Sequence, residues 1–150
     1  MKLVYVSPSD IPSKSANSIH VLKQCIAFSD LGFRVELFAS GVPGLKDCID
    51  ISQYYGDEKI SLLDINLFKT ILNSRLLSIA VFTSFFLRRR IFDRDLTIVS
   101  RNLYFSLYLS IVGVQHIYES HGVENGWRYW LQKLIIKRQQ KIIVISKALE

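Results

Sequence analysis

Three short stretches carry side chains able to do chemistry. Ser15-Ala16-Asn17-Ser18 stands just before an apolar series with helical spacing, Ile19, Leu22, Cys25 and Ile26. Ser15 or Asn17 can accept a hydrogen bond from the unpaired amides of a first helical turn. The same turn offers N–H groups and a positive dipole end to an anion, a stabilisation of about 0.3 to 1 kcal/mol. An ordinary helix cap uses the same residue types, so this stretch alone supports both readings. Arg101-Asn102 follows the apolar run Leu96-Thr97-Ile98-Val99, and Ser120-His121-Gly122 follows His116-Ile117-Tyr118-Glu119. Arginine and asparagine donate to oxyanions, a carboxylate accepts from hydroxyls or pairs with an arginine, and an imidazole donates to a developing charge or moves a proton. For Glu119, binding hydroxyls and a salt bridge to Arg101 both remain open. His20, one turn into the helix, reads as a packing residue.

These side chains matter together only if the chain folds so that they converge. Leu3-Val4-Tyr5-Val6 suits a buried strand, and two prolines and five serines predict a loop over residues 7–18 before the first helix. Gly32 caps that helix, and Arg34-Val35-Glu36-Leu37-Phe38-Ala39 reads as a second, parallel strand. Gly41-Val42-Pro43-Gly44 breaks the pattern, residues 47–56 carry a short helix, and residues 60–63 read as a third strand. Helices are expected over 74–92, 103–112 and 124–139, with strands over 96–99, 116–119 and 142–145 and a further helix starting at 146. The last full helix holds Trp127 and Trp130, whose spacing reads as core and surface of one amphipathic element. Alternating strands and helices predict an α/β, Rossmann-like three-layer domain with a mostly parallel sheet. In the doubly wound order the first and fourth strands are neighbours and ligands bind at their carboxyl ends. One crevice would then gather Asn17, Ser18, Arg101, Asn102, Glu119, His121 and Gly122.

Composition narrows the classes. The 150 residues make one domain, 49% hydrophobic and 21% charged, so the chain is globular rather than disordered. Mean hydropathy of +0.22 is high for a free-standing soluble domain and hints at a partner surface. Residues 1–74 hold 7 Lys/Arg and 8 Asp/Glu, net −1, whereas residues 75–150 hold 12 and 5, net +7. That basic half suits an anionic lipid surface or anionic substrate, or is simply a solvated face. Nucleic acid is not indicated, because no recognition module is present and the aromatics fall in apolar runs. The uncharged stretch 76–87, stopped by Arg88-Arg89-Arg90, is short of the roughly 20 residues a membrane span needs, leaving a core helix or a membrane-surface helix. The apolar run 3–6 is too short for a signal peptide, so a cytoplasmic location is expected. Cys25 and Cys48 lack metal-ligand spacing.

At Pro8-Ser9, Ser15-Ala16-Asn17-Ser18-Ile19-His20, Ala27-Phe28 and Leu31-Gly32 the chain resembles the N-terminal domain of family 4 glycosyltransferases of the GT-B fold. Tyr118-Glu119-Ser120-His121 and Ile142-Ile143-Val144-Ile145-Ser146-Lys147-Ala148-Leu149 match later landmarks of that domain. The resemblance implies transfer of a sugar from a nucleotide-sugar donor, with retained anomeric configuration and no metal or other cofactor. Acceptors would be cell-surface glycans or glycolipids, and the enzyme would lie peripherally at the inner membrane face. His121 matches the family's catalytic, sugar-contacting histidine. Asn17 and Ser18 would place amides near the diphosphate, and Arg101, Asn102, Glu119 and Gly122 would complete the substrate side. Where many members carry paired glycines, this chain has Ser15-Ala16-Asn17-Ser18. The expectation is the acceptor-side half of a GT-B fold over residues 1–150, with the nucleotide-binding C-terminal domain absent. Competing readings are a non-catalytic remnant or partner subunit and a nucleotide-binding Rossmann module. The lack of GxGxxG after the first strand counts against the last.

Overall fold

The computed structural model describes residues 1–41, 50–69, 74–93, 95–120, 122–138 and the backbone of 142–144. Among them, strands β1 (Lys2–Ile11), β2 (Arg34–Gly41), β3 (Asp64–Phe68), β4 (Leu96–Ser100), β5 (Ile117–Ser120) and β6 (Ile142–Val144) form one sheet in the order β3-β2-β1-β4-β5-β6. Every pairing is parallel. Helices α1 (Ala16–Asp30), α2 (Ile51–Tyr55), α3 (Arg75–Leu87), α4 (Leu103–Ile111) and α5 (Trp127–Arg138) supply the crossovers. This is the Rossmann-like arrangement that the alternation of elements predicts.

Covering both faces of a parallel sheet requires strands that are apolar on both sides. In β1, Leu3 and Tyr5 enter one core with Val21, Leu22 and Cys25 of α1, whereas Val4 and Val6 enter the other with Ile79 and Leu87 of α3 and Phe105 and Leu109 of α4. A smaller cluster of Leu103, Tyr118 and Ile135 seats α5 beside α4. The order of strands reverses between β1 and β4, and the carboxyl ends of these two neighbours are where a doubly wound sheet binds its ligands.

The elements depart from expectation in two informative places. Residues 7–11, predicted as loop, continue β1 to Ile11. Pairing with β2 shifts register between Val6↔Phe38 and Asp10↔Ser40, so the strand bulges where Pro8 has no amide to donate. The Ser7 hydroxyl accepts from Ser9 N at 3.2 Å and stabilises that bulge. Residues 60–63, predicted as the third strand, belong instead to a 3-10 turn over Glu58–Leu62 and the residue after it. Asp57 caps the turn by accepting from Lys59 N at 3.0 Å, while Ile60 and Leu63 drop into the core. The strand begins at Asp64, and its polar Asp64 and Asn66 suit an edge position. The helix expected from residue 124 starts at Trp127. The helix expected from residue 146 lies outside the described residues, as does Cys48. Among the described residues no helix is long and apolar enough to cross a membrane.

Candidate functional site

Glu119, the third residue of β5, is the centre of a buried polar cluster at the carboxyl ends of β1, β4 and β5. Its carboxylate has no solvent exposure and meets Arg101 Nε at 3.3 Å, with the Arg101 side chain only 2% exposed. An isolated buried charge is costly, so each of these ions depends on the other. Arg101 follows β4 directly; its backbone N–H donates to Val6 O at 2.8 Å and its Nη2 to Asn17 Oδ1 at 3.3 Å. Arg101 therefore ties β1, α1 and β5 to the end of β4. Tyr5, in the middle of β1, sends its hydroxyl to the same carboxylate. The phenol has one proton and the carboxylate can only accept, so the proton goes to Glu119. The Gln24 side-chain oxygen Oε1 lies equally close to the phenol oxygen and is a second acceptor for the same proton. Burial, and then the Glu119 charge, push the Tyr5 hydroxyl and the Cys25 thiol well above their ordinary values, so both stay protonated. His20 brings its Nε2 to 3.8 Å from Glu119 Oε1 while keeping 43% of its side chain exposed.

The structure brings Asn17, Arg101 and Glu119 into one connected cluster, with exposed Asn17 at its solvent side. Ser18 and Asn102 are placed differently. Ser18 is buried, its hydroxyl donates to Asp10 O at 2.7 Å, and its N–H is capped by Ser15 Oγ at 3.2 Å. Asn102 is the N-cap of α4: its Oδ1 accepts from Phe105 N at 3.0 Å, and its Nδ2 donates to Leu76 O at 2.7 Å. Both side chains hold helices in place. His121 lies outside the described residues, but its two neighbours are fixed. Gly122 O accepts from Ser120 Oγ at 3.0 Å and from Gln132 Nε2 at 2.8 Å, and Gln132 Oε1 accepts from Glu124 N at 2.9 Å.

Sequence reasoning missed Tyr5, Gln24 and Gln132. Tyr5 sits in an apolar run where an aromatic is ordinary, and only its partner on a strand more than a hundred residues later gives it a polar role. Gln132 did leave a trace, as an amide one turn before Ile135 on the inward side of α5, where both residues are buried. His20, read from sequence as packing, instead lies half-exposed against Glu119. Trp127 and Trp130, read as core and surface, are both mostly exposed, with Trp127 resting against Tyr104 at 6.1 Å between ring centres.

Among the described residues no group of three or more His, Cys, Asp or Glu side chains could hold a metal ion. Fold and cluster together define a Rossmann-like α/β domain with a buried ion pair at its topological switch point. Compared with known proteins, the sequence matches no family model and no curated protein.

Proposed function

We propose that this domain is the acceptor-side half of a retaining, GT-B-type glycosyltransferase. It would serve transfer of a sugar from a nucleotide sugar to a cell-surface glycan or glycolipid at the cytoplasmic face of a membrane. The observation that supports this most is the convergence of Asn17, Arg101 and Glu119, all quoted in the resemblance or its implied site, at the carboxyl ends of the strands beside the β1/β4 switch point. Departure of a nucleotide leaves a growing diphosphate charge and an electron-poor sugar, so such a reaction needs placed donors more than covalent help. In this reading the buried Arg101–Glu119 pair is positioning machinery, since neither side chain has the exposure to grip a ligand. Asn17 and His20 line the accessible rim. His121, carried by the resemblance, would contact the sugar, and Gln132 would hold its flanks at Ser120 and Gly122. No metal or cofactor takes part. The basic excess of the second half would face anionic headgroups, where lipid-linked acceptors are anchored.

The reading is tested by titrating the isotopically labelled chain with lipid-linked oligosaccharide extract and, separately, with UDP- and GDP-sugars, following amide shifts. Oligosaccharide should move Asn17, His20 and Gly122, while nucleotide binds no tighter than about millimolar, because its contacts belong to the other half of a GT-B cleft. Micromolar nucleotide affinity in the β1/α1 crevice would sink this proposal in favour of a nucleotide-binding Rossmann module.

A further inference from the structure

Helix α3 is apolar almost all round. Its inward side, Ile79, Ala80, Thr83 and Leu87, is buried against the sheet and α4. The opposite side has no cover among the described residues: Val81, Phe85 and Phe86, with Phe92 just beyond the helix end, are each more than half exposed. The aromatic surface is anchored from within. Phe68 of edge strand β3 stacks on core Phe38 at 5.8 Å and on Phe82 at 5.1 Å, and Phe86 leans on Phe68 at 5.4 Å. A line of rings thus runs from core to surface and holds Phe86 outward.

Charge at the end of this stripe identifies what it meets. Arg90 is engaged by Glu36 at 2.9 Å, and Arg138 of α5 donates to Ser110 O at 3.3 Å, so both are used within the fold. Arg88 and Arg89 are exposed, and the Arg88 guanidinium lies 4.9 Å from the Phe85 ring centre, an aromatic body with a cationic head. Asp93, next to Phe92, is the nearest opposing charge in sequence, and its Oδ1 accepts from Asp95 N at 3.2 Å. Aromatics flanked by arginine on a helix too short to span suit the boundary between anionic headgroups and acyl chains.

We infer that α3 is a lipid-docking face: the domain lies with α3 along an anionic membrane, Val81, Phe85, Phe86 and Phe92 entering the acyl boundary and Arg88 and Arg89 meeting lipid phosphates. This goes beyond electrostatic adsorption of the basic half of the chain and does not depend on sugar transfer. The helix, about 20 Å long at 1.5 Å per residue, lies with its N-terminus beside Asn102 at the crevice end.

The experiment is flotation of the 150-residue chain with phosphatidylcholine vesicles, with and without 30% phosphatidylglycerol, at low and high salt. Folding of each variant is checked by circular dichroism. The parent should float with anionic vesicles and at least about tenfold less with neutral ones. Phe85→Ser with Phe86→Ser should lose about tenfold or more at either ionic strength, and Arg88→Glu with Arg89→Glu should lose the anionic preference. Undiminished flotation of the folded phenylalanine variant would overturn the inference. So would a concentration-dependent dimer, without vesicle binding, that the same variant abolishes, since the stripe would then join two copies of the chain.

Discussion

Replacing Arg101 by methionine should damage stability far more than an ordinary single change. Methionine keeps most of the aliphatic stem but removes the cation, leaving the unexposed Glu119 carboxylate with Tyr5 and a histidine at 3.8 Å. Breaking a buried pair from one side costs about 3 to 5 kcal/mol, against a total stability of about 5 to 15 for a domain. For a chain of this size each kcal/mol lowers Tm by about 2 to 4 °C, so the variant should melt about 6 to 20 °C below the parent. Urea unfolding followed by far-ultraviolet circular dichroism is the assay, because Trp127 and Trp130 are already largely exposed and report poorly. The double change Arg101→Met with Glu119→Gln separates the pair from its surroundings. A neutral amide still accepts from Tyr5 and strands no charge, so the double variant should recover about 2 kcal/mol or more of the single loss. A single variant within about 1 kcal/mol of the parent, or a double variant showing only additive losses, would refute the argument that the two ions depend on each other.

Gln132→Leu should free the contacts of Ser120, Gly122 and Glu124, costing about 1 to 3 kcal/mol, because buried Ser120 and part-buried Gly122 and Glu124 lose their donor and acceptor at once. Hydrogen exchange at the Glu124 amide should accelerate, and unchanged protection there would mean that the glutamine is not what holds the loop. His116 is buried, and burial holds its pKa below the ordinary value of 6.5. The unfolded chain therefore binds a proton more readily than the folded one, so this contribution to stability is complete above about pH 6.5 and lost as pH falls through the folded value. His116→Gln should flatten that part of the stability curve between about pH 7 and 5, and identical slopes for both proteins would contradict the assignment.

The sequence made the layered fold legible because parallel strands write themselves as apolar runs between helical patterns, as Leu3-Val6 and Leu96-Val99 do. It also placed Asn17, Arg101 and Glu119 together, since strand order alone decides which loops share an edge. Three kinds of information were hidden. Pro8 and the serines around it argued for a loop, but a bulge lets β1 run through them to Ile11. Asp64 and Asn66 disfavour a strand by propensity, yet an edge strand tolerates polar side chains, and the apolar Ile60-Leu63 drew the assignment one element too early. In the site, Ser18 and Asn102 have the right residue types in the right loops, and only geometry shows their polar atoms committed to Asp10, Phe105 and Leu76. Tyr5 and Gln132 act through partners distant in sequence, which no local pattern records.

The strand order has a consequence for synthesis. β1 lies between β2, which follows it closely, and β4, whose first paired residue is Leu96 opposite Lys2. After β2 has emerged, about 60 further residues must be made before β4 is complete, some 3 to 12 s at about 5 to 20 residues per second. Throughout that interval the β4-facing edge of the apolar Leu3-Val4-Tyr5-Val6 has no partner strand. Unpaired apolar edges recruit other chains. The nascent chain therefore carries an open apolar strand edge until Leu96–Ser100 has been made to cover it.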